Sequence, residues 1–360
     1  MAHSCVQRRA PTRAQSGATL PPFSRAADNQ VRIAALGGGT GLPVVLRGLV
    51  EIGAPRIDLD ALTAIVTVTD DGGSSGRLRE QFGILPPGDI RNCLVALAEH
   101  EPAAARLLQH RLSDGVSDRA GHPVGNLLLT MLTQITGDFS KAIDEVGALV
   151  GAHGRVMPTT LENVRLQAEM ESGKVVLGET AIVKDPMRIS RLSLTPSPRP
   201  FPDVLRALVN ADAIVVGPGS LYTSVLPNLL VEGVAATIYG ASARRIYVAN
   251  LMTEPGETDG YSIDDHLRVI REHTGYDLFD DVLVHRGSLD STVVGRYAEQ
   301  GALPVRRPSA LRFAGDAEIV ERDLAGHAHN GKIRHDSKGL ARAITDLIAK
   351  SSLTLSPLAP

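Results

Sequence analysis

Two adjacent carboxylates at the end of an apolar run are the first residues of this chain whose types could do chemistry. Residues 62–69 read LTAIVTVT, which is typical of a buried strand, and Asp70 and Asp71 follow directly. Neighbouring acids at a strand end cannot both face a core without partners, so we expect them at a ligand. Carboxylates suit a ribose or a hydrated Mg²⁺ ion. Asp70 and Asp71 are therefore predicted ligand-binding residues, a candidate Mg²⁺ site and, in a transferase, the catalytic pair.

A glycine-rich loop precedes these acids in the chain. Residues 31–36 form an apolar run that enters GGGTG at residues 37–41, and helically spaced apolar residues follow. Glycines let a backbone approach a ligand closely, and the N–H groups of the following helix attract an anion. We predict that a phosphate is bound here, by Gly38, Gly39, Thr40 and Gly41. The loop departs from the dinucleotide fingerprint and lacks the lysine of a P-loop, so a purely structural turn remains the alternative.

A second glycine turn repeats this arrangement later in the chain. Residues 213–216 read AIVV and lead into Gly217, Pro218, Gly219 and Ser220, after which a helix is expected. The hydroxyl group and the backbone N–H groups of such a turn can hold an anion. Gly217, Gly219 and Ser220 are therefore predicted binding residues, and an ordinary strand-to-helix turn is the alternative.

Other polar residues are expected at the same edge of the sheet, in loops after strands or in the first turns of helices. Asp89 is expected to cap a helix that begins at Ile90. Residues 121–132 are predicted to form a further buried helix whose first turn carries His122 and Asn126, with His122 as a capping or packing residue. The remaining candidates for ligand contact are Ser74, Ser75, Asn92, Asn126, Asn250 and Thr253.

The order of elements predicts the fold that must position these residues. Apolar strand patterns alternate with helical patterns, which favours the α/β class with a doubly wound, mostly parallel, Rossmann-like sheet. Ligands of such folds bind beyond the carboxyl ends of the strands. Residues 155–200 contain short alternating runs, beginning at Arg155, and predict a small inserted β-rich segment with one solvated face. We expect a disordered basic tail over residues 1–29, an α/β domain over 30–350 and a disordered tail over 351–360.

Composition narrows the classes of function. The 360 residues carry a net charge of -3, include no Trp and are only 3% aromatic, which argues against nucleic acid as a partner. No apolar run reaches the roughly 20 residues that a transmembrane helix needs. Cys5 and Cys93 are the two cysteines, so no disulfide framework is indicated and a cytoplasmic location is expected.

Six ordered motifs resemble those of a known family. The chain is similar over residues 31–350 to the gluconeogenesis factor family, the bacterial branch of the CofD-like superfamily, whose other branch is the 2-phospho-lactate transferases. The serine-rich residues 72–76 match the gluconeogenesis factor branch. The motifs occupy residues 37–41, 69–77, 87–92, 121–126, 217–224 and 250–258.

The resemblance implies a regulator that binds UDP-N-acetylglucosamine and links carbon supply to cell-wall precursors and cell morphogenesis during gluconeogenic growth. It implies that Tyr261 and Arg296 contact the nucleotide-sugar, that the chain forms a homo-oligomer, and that an enzyme of amino-sugar synthesis is a partner. The alternative is an Mg²⁺-dependent nucleotidyl- or phospho-group transferase, similar to a uridylyltransferase or a 2-phospho-lactate transferase. NAD-dependent reduction is disfavoured by the glycine spacing.

Overall fold

The computed structural model describes residues 30–53, 55, 57–98, 103–111, 121–307, 312–326 and 332–354. The expected tail at residues 1–29 and residues 355–360 of the expected C-terminal tail lie outside the described residues. The last helix ends at Thr354, which is beyond residue 350, where the domain was expected to end.

Ten strands in the described part of the chain form two sheets. Seven strands make one sheet in which every neighbouring pair is parallel, in the order β3-β2-β1-β7-β8-β9-β10. The other three make an antiparallel sheet in the order β5-β4-β6. The bounds are β1 Ile33–Gly37, β2 Thr63–Val66, β3 Arg155–Pro158, β4 Arg165–Met170, β5 Val175–Leu177, β6 Ile189–Thr195, β7 Ala213–Val216, β8 Arg244–Val248, β9 Asp281–His285 and β10 Glu318–Arg322.

Helices cover both faces of the parallel sheet, so its central strands are buried on both sides. All residues of β1 and β7 are buried, which explains why they read as continuous apolar runs. The helices are α1 Gly41–Ile52, α2 Gly73–Phe82, α3 Gly88–Leu97, α4 Ala103–Gln109, α5 Val124–Thr136, α6 Phe139–Val150, α7 Glu179–Lys184, α8 Pro202–Asn210, the π-helical turn Leu221–Val225, α9 Leu226–Leu229, α10 Val234–Gly240, α11 Ile263–Thr274, α12 Ser291–Glu299 and α13 Ser337–Thr354.

The order of the strands creates a crevice at β1 and β7. From β1 the chain moves outward to β2 and β3, and then returns to the other side of β1 to form β7 and the later strands. In open α/β sheets, ligands bind at the carboxyl ends of the strands where the direction of winding reverses. The predicted doubly wound parallel fold is confirmed, and the two glycine loops leave the two strands that flank this reversal.

The inserted β-rich segment is shorter than expected. β3 was expected to begin it, but Val156 of β3 pairs with Ala64 of β2 in parallel, and three of the four β3 residues are buried. A run of four residues is too short to show whether one face or both faces are buried. The antiparallel sheet therefore begins at β4, and α7 lies between its strands β5 and β6.

Two expected helix starts also differ. α3 begins at Gly88 after Pro87, so Asp89 lies inside the first turn and does not cap it. α5 begins at Val124 and leaves His122 before the helix, although Asn126 is in the first turn as expected.

A search of the described residues for membrane-spanning helices finds no single helix of sufficient length and apolarity. Two helical segments, Leu221–Leu229 and Val234–Gly240, are long and apolar enough only when taken together, and the pair is bent.

Helix packing generates a stability prediction at two helical glycines. A Cβ atom on Gly48 of α1 would lie 2.0 Å from the carbonyl oxygen of Ser337 in α13, whereas a Cβ atom on Gly295 of α12 would meet nothing within 4 Å. We expect Gly48→Ala to lower the free energy of unfolding by about 1–3 kcal/mol because the two helices must separate. Gly295→Ala should raise it by about 0.5–1 kcal/mol, because alanine favours a helix. Urea denaturation measures both, and equal effects would contradict the packing described.

Candidate functional site

A cleft opens where β1, β7 and β8 end. Its volume is about 830 Å³, and its lining comes from the first glycine loop, the second glycine loop, α7, the loop after β8, α12 and the chain before α13. Nine of the predicted site residues line this cleft: Gly38, Gly39, Thr40, Gly41, Gly219, Ser220, Asn250, Thr253 and Arg296.

The two glycine loops touch each other at the floor of the cleft. A Cβ atom on Gly41 would lie 2.1 Å from the carbonyl oxygen of Pro218, so only glycine allows this contact. Gly39 has a φ of 61°, a conformation that glycine adopts without strain. The glycines therefore serve the approach of one loop to the other as well as exposure of the backbone to a ligand.

A carboxylate occupies the first loop in this structure. The backbone N–H of Gly39 donates to Asp89 Oδ2 over 2.7 Å, and a Cβ atom on Gly38 would lie 2.9 Å from the same oxygen. Burial raises the pKa of Asp89 to about 6, and the hydrogen bond from Gly39 acts against this rise. Asp89 therefore accepts a backbone N–H group of the loop that was predicted to bind a phosphate.

A second carboxylate serves the other loop in the same way. The Ser220 hydroxyl group donates to Glu257, and Gly219 N–H donates to Asn250 Oδ1 over 3.0 Å. Burial raises the pKa of Glu257 to about 7. Asp89 and Glu257 were not predicted as site residues, because an acid in a loop or at a helix start is usually a helix cap or a solvated side chain.

Glu179 and Glu254 are two further acids of the cleft. Burial, followed by the charge of Asp70, raises the pKa of Glu179 to about 9, and burial raises the pKa of Glu254. The described residues contain no cluster of three or more His, Cys, Asp or Glu side chains that could hold a metal ion. An Mg²⁺ ion here would need oxygens from a bound phosphate as well as carboxylates, which is the usual way this ion is held.

Three cationic side chains also line the cleft. Arg296 projects from α12, and Lys332 and Arg334 precede α13; all three are exposed. Sequence reasoning missed Lys332 and Arg334, although the basic residues at 332–335 just before a helix were a visible signal. The lining of the cleft thus contains acids and cations that come from different segments of the chain.

A hydrogen-bond network supports the first loop from behind. Asn92 Nδ2 donates to the Gly39 carbonyl over 3.4 Å, and Arg91 bridges Asn92 and Asn126 with bonds of 2.6 and 2.8 Å. Asn126 donates to Ser74 Oγ over 2.9 Å, and Ser74 Oγ is 2.6 Å from His122 Nδ1. The structure therefore places the predicted residues Ser74, Asn92 and Asn126 in a supporting network.

The adjacent acids separate in the structure. Asp70 Oδ1 accepts from Gly72 N–H over 2.8 Å, and the charge of Asp70 acts on the carboxyls of Asp89 and Glu179. Asp71 Oδ1 accepts from the backbone and the hydroxyl group of Thr180, over 2.9 and 2.7 Å, and lines a different pocket. The charge of Asp71 also acts on Glu179, whereas of the two adjacent acids Asp70 alone acts on Asp89.

The remaining predicted residues differ in their surroundings. Thr253 is buried and is bonded to Leu303, while Ser75 is buried against Gly88. Tyr261 lines a separate depression, where its hydroxyl group is 2.9 Å from that of Tyr222. The structure therefore does not bring Tyr261 and Arg296 into one pocket.

Comparison with known proteins identifies the family. The family model described as 2-phospho-L-lactate transferase CofD matches residues 33–328. The Gluconeogenesis factor of Halalkalibacterium halodurans is 48% identical over 87% of this chain and 95% of its own length. The chain belongs to the gluconeogenesis factor branch of the CofD family.

Other relatives agree with this family. The Gluconeogenesis factor of Bacillus subtilis is 43% identical over 88% of this chain and 98% of its own length. A crystal structure of a UPF0052 family member from Bacillus halodurans is 44% identical, covers 88% of this chain and 99% of that chain, and superposes with a TM-score of 0.82. The fold of this CofD family member is therefore shared along nearly the whole length of that protein.

The raised pKa of Asp89 generates a pH prediction for the ligand-free chain. The folded state binds this proton more tightly than the unfolded state, so ionisation of the carboxyl costs no stability below pH about 4 and costs increasingly more as the pH rises to about 6. Asp89→Asn removes this dependence and keeps an acceptor for Gly39. We expect the variant to gain up to about 3 kcal/mol over the wild type above pH 6 and almost nothing near pH 4.

Denaturant titrations from pH 4 to 8 in a buffer without phosphate measure this difference. The exposed carboxylate of Asp60 lies outside the site, so Asp60→Asn is the matched control and should not show the gain expected of Asp89→Asn. A gain from Asp89→Asn that does not vary with pH would contradict the assignment.

Proposed function

We propose that this gluconeogenesis factor family member binds a nucleotide-sugar, UDP-N-acetylglucosamine, as a regulator. The observation that carries the proposal is a cleft at the reversal of the parallel sheet that is lined by two glycine loops in contact and by three exposed cations. A diphosphate could contact backbone N–H groups on one side and guanidinium groups on the other. The volume of about 830 Å³ lies in the range of sites for ligands of this size.

The acids of the cleft support a ligand that also carries hydroxyl groups. Glu179 and Glu254 line the cleft beside the loops, where carboxylates can accept hydrogen bonds from a sugar or a ribose. Asp89 and Glu257 must lose contact with the loops or become protonated before a phosphate takes those donors. Binding of a free diphosphate should therefore strengthen as the pH falls toward 6, or when Mg²⁺ accompanies it.

The physiological part of the proposal comes from relatives that carry the name Gluconeogenesis factor. We propose that the chain acts in the cytoplasm as a homo-oligomer, and that the bound nucleotide-sugar reports carbon supply to an enzyme of amino-sugar synthesis. The proposed outcome is a supply of cell-wall precursor sufficient for cell morphogenesis during gluconeogenic growth.

A transferase is the second candidate, favoured by the grouping of Asp70, Asp89 and Glu179 near the first loop. One or two of these carboxylates, together with phosphate oxygens, would have the chemistry of an Mg²⁺ site for phosphoryl or nucleotidyl transfer. Asp71 is bonded to Thr180, and its charge also acts on Glu179.

Binding is tested by thermal unfolding with UDP-N-acetylglucosamine. A ligand at one hundred times its Kd stabilises the native state by about 2.7 kcal/mol, so the melting temperature should rise measurably. Arg296→Ala should weaken binding by about tenfold or more and Arg296→Lys by less, because lysine keeps the charge but loses the two-pronged contact. Arg199→Ala, which removes an exposed arginine outside the cleft, should bind normally.

Product analysis separates the two candidates. A regulator should return the nucleotide-sugar unchanged after long incubation with Mg²⁺. Its formation from UTP and a sugar phosphate, lost in Asp70→Asn, would establish the transferase instead. Absence of a thermal shift with any uridine nucleotide would contradict both.

A further inference from the structure

A second pocket lies on the other side of α7 from the central cleft. Its volume is about 390 Å³, and α2, β4 and α7 line it. The two cavities have no lining residue in common: Glu179 and Val183 of α7 face the central cleft, while Thr180, Ala181 and Lys184 face this pocket. It is therefore a separate place for a ligand.

The N-terminus of α2 opens onto this pocket. Gly72 and Gly73 line it, and α2 has ten residues with Gly72 at its N-cap. No side chain of the described residues caps this helix start. The first N–H groups of an uncapped helix are free donors, and the helix dipole adds partial positive charge at this end.

A buried arginine beside the helix start is the observation that points to an anion. Arg79 is only 5% exposed, and its Nη2 donates to Asn163 Oδ1 over 2.5 Å and to the Val164 carbonyl. Its Nη1 is also buried and has no hydrogen-bond partner among the described residues. Leaving such a donor unsatisfied is costly, because a buried charged group loses its hydration without compensation.

The surroundings of Arg79 place this guanidinium on the wall of the pocket. Its pKa is lowered by burial and then by the charge of Arg165, while Asp71 acts in the opposite direction. Arg165, Asp71 and Arg79 itself all line the pocket, so two of the three charges that act on Arg79 belong to the pocket, and the third is Asp70.

The balance of charge also favours an anion. Arg79, Arg165 and Lys184 line the pocket, against the two acids Asp71 and Glu80. Asp71 Oδ1 is already engaged by both donors of Thr180. Among the described residues, Arg165 and Lys184 make no ion pair in this structure, so both exposed cations are available to a ligand.

We propose that this pocket is a second anion site, which takes the phosphate group of a small phosphorylated molecule. The oxygens would accept from the N–H groups at the start of α2, and the side chains of Arg165 and Lys184 would contact them from the inserted segment. Arg79 would supply a buried positive charge behind the phosphate. The bound group would thereby join α2 of the main domain to β4 and α7 of the insertion.

Calorimetric titration of the full chain with inorganic phosphate tests the site. Arg165 and Lys184 are exposed, so replacing them removes no buried contact. We expect the double variant R165A/K184A to bind phosphate about tenfold more weakly than the wild type, or worse. Arg191→Ala is the matched control, because it removes an exposed cation from β6 of the same antiparallel sheet, and it should bind like the wild type.

A second variant distinguishes phosphate binding in this pocket from phosphate binding in the central cleft. Arg296→Ala should weaken binding of phosphate in the central cleft, and R165A/K184A should not. The test of the second pocket therefore does not depend on whether a nucleotide-sugar binds in the cleft. Equal phosphate affinity of R165A/K184A and the wild type, or no binding to the wild type, would overturn the proposal.

A third titration identifies the source of the phosphate. Glucose 6-phosphate is compared with inorganic phosphate and with glucose in the wild type and in R165A/K184A. Tighter binding of the ester, lost in the double variant, would support a phosphorylated metabolite as occupant. Tighter binding of inorganic phosphate, with the same loss, would support free phosphate, and binding of glucose alone would overturn an anion site.

Discussion

The close contact between two glycine loops is the constraint on which the central cleft depends. β1 and β7 are neighbours in the sheet, and the Gly41 backbone packs directly against the Pro218 carbonyl where the following loops meet. A side chain at Gly41 would force the loops apart. The backbone donors of both loops consequently face one small volume, in which a ligand with two phosphate groups could contact both at once.

Carboxylates complete this arrangement and also limit it. Asp89 accepts the Gly39 N–H, and Glu257 accepts the Ser220 hydroxyl group, so each loop has an internal acceptor in the absence of an anion. These contacts satisfy donors that would otherwise be unpaired, which stabilises the loops. The cations Arg296, Lys332 and Arg334 line the same cleft. Its lining therefore carries charges of both signs.

The inserted segment connects the two cavities physically. α7 contributes Glu179 to the central cleft and Lys184 to the second pocket, and its first turn is bonded to Asp71 of the main domain. A ligand on either side of α7 would contact the same short helix. The adjacent acids Asp70 and Asp71 thus have different partners: the charges of both act on Glu179, but Asp70 also acts on Asp89, whereas Asp71 accepts hydrogen bonds from Thr180 of the insertion.

Local patterns in the sequence determined the elements and much of their order. Continuous apolar runs predicted the strands that are buried on both faces, because an apolar side chain favours burial. Glycines predicted the turns after β1 and β7, because a residue without a side chain has the freest backbone. Tertiary packing alone decided which groups meet. Asp89 reaches Gly39 across 50 residues of sequence, and Thr180 reaches Asp71 across 109. The partner of a side chain depends on which distant segment packs beside it, and local spacing in the sequence does not determine that.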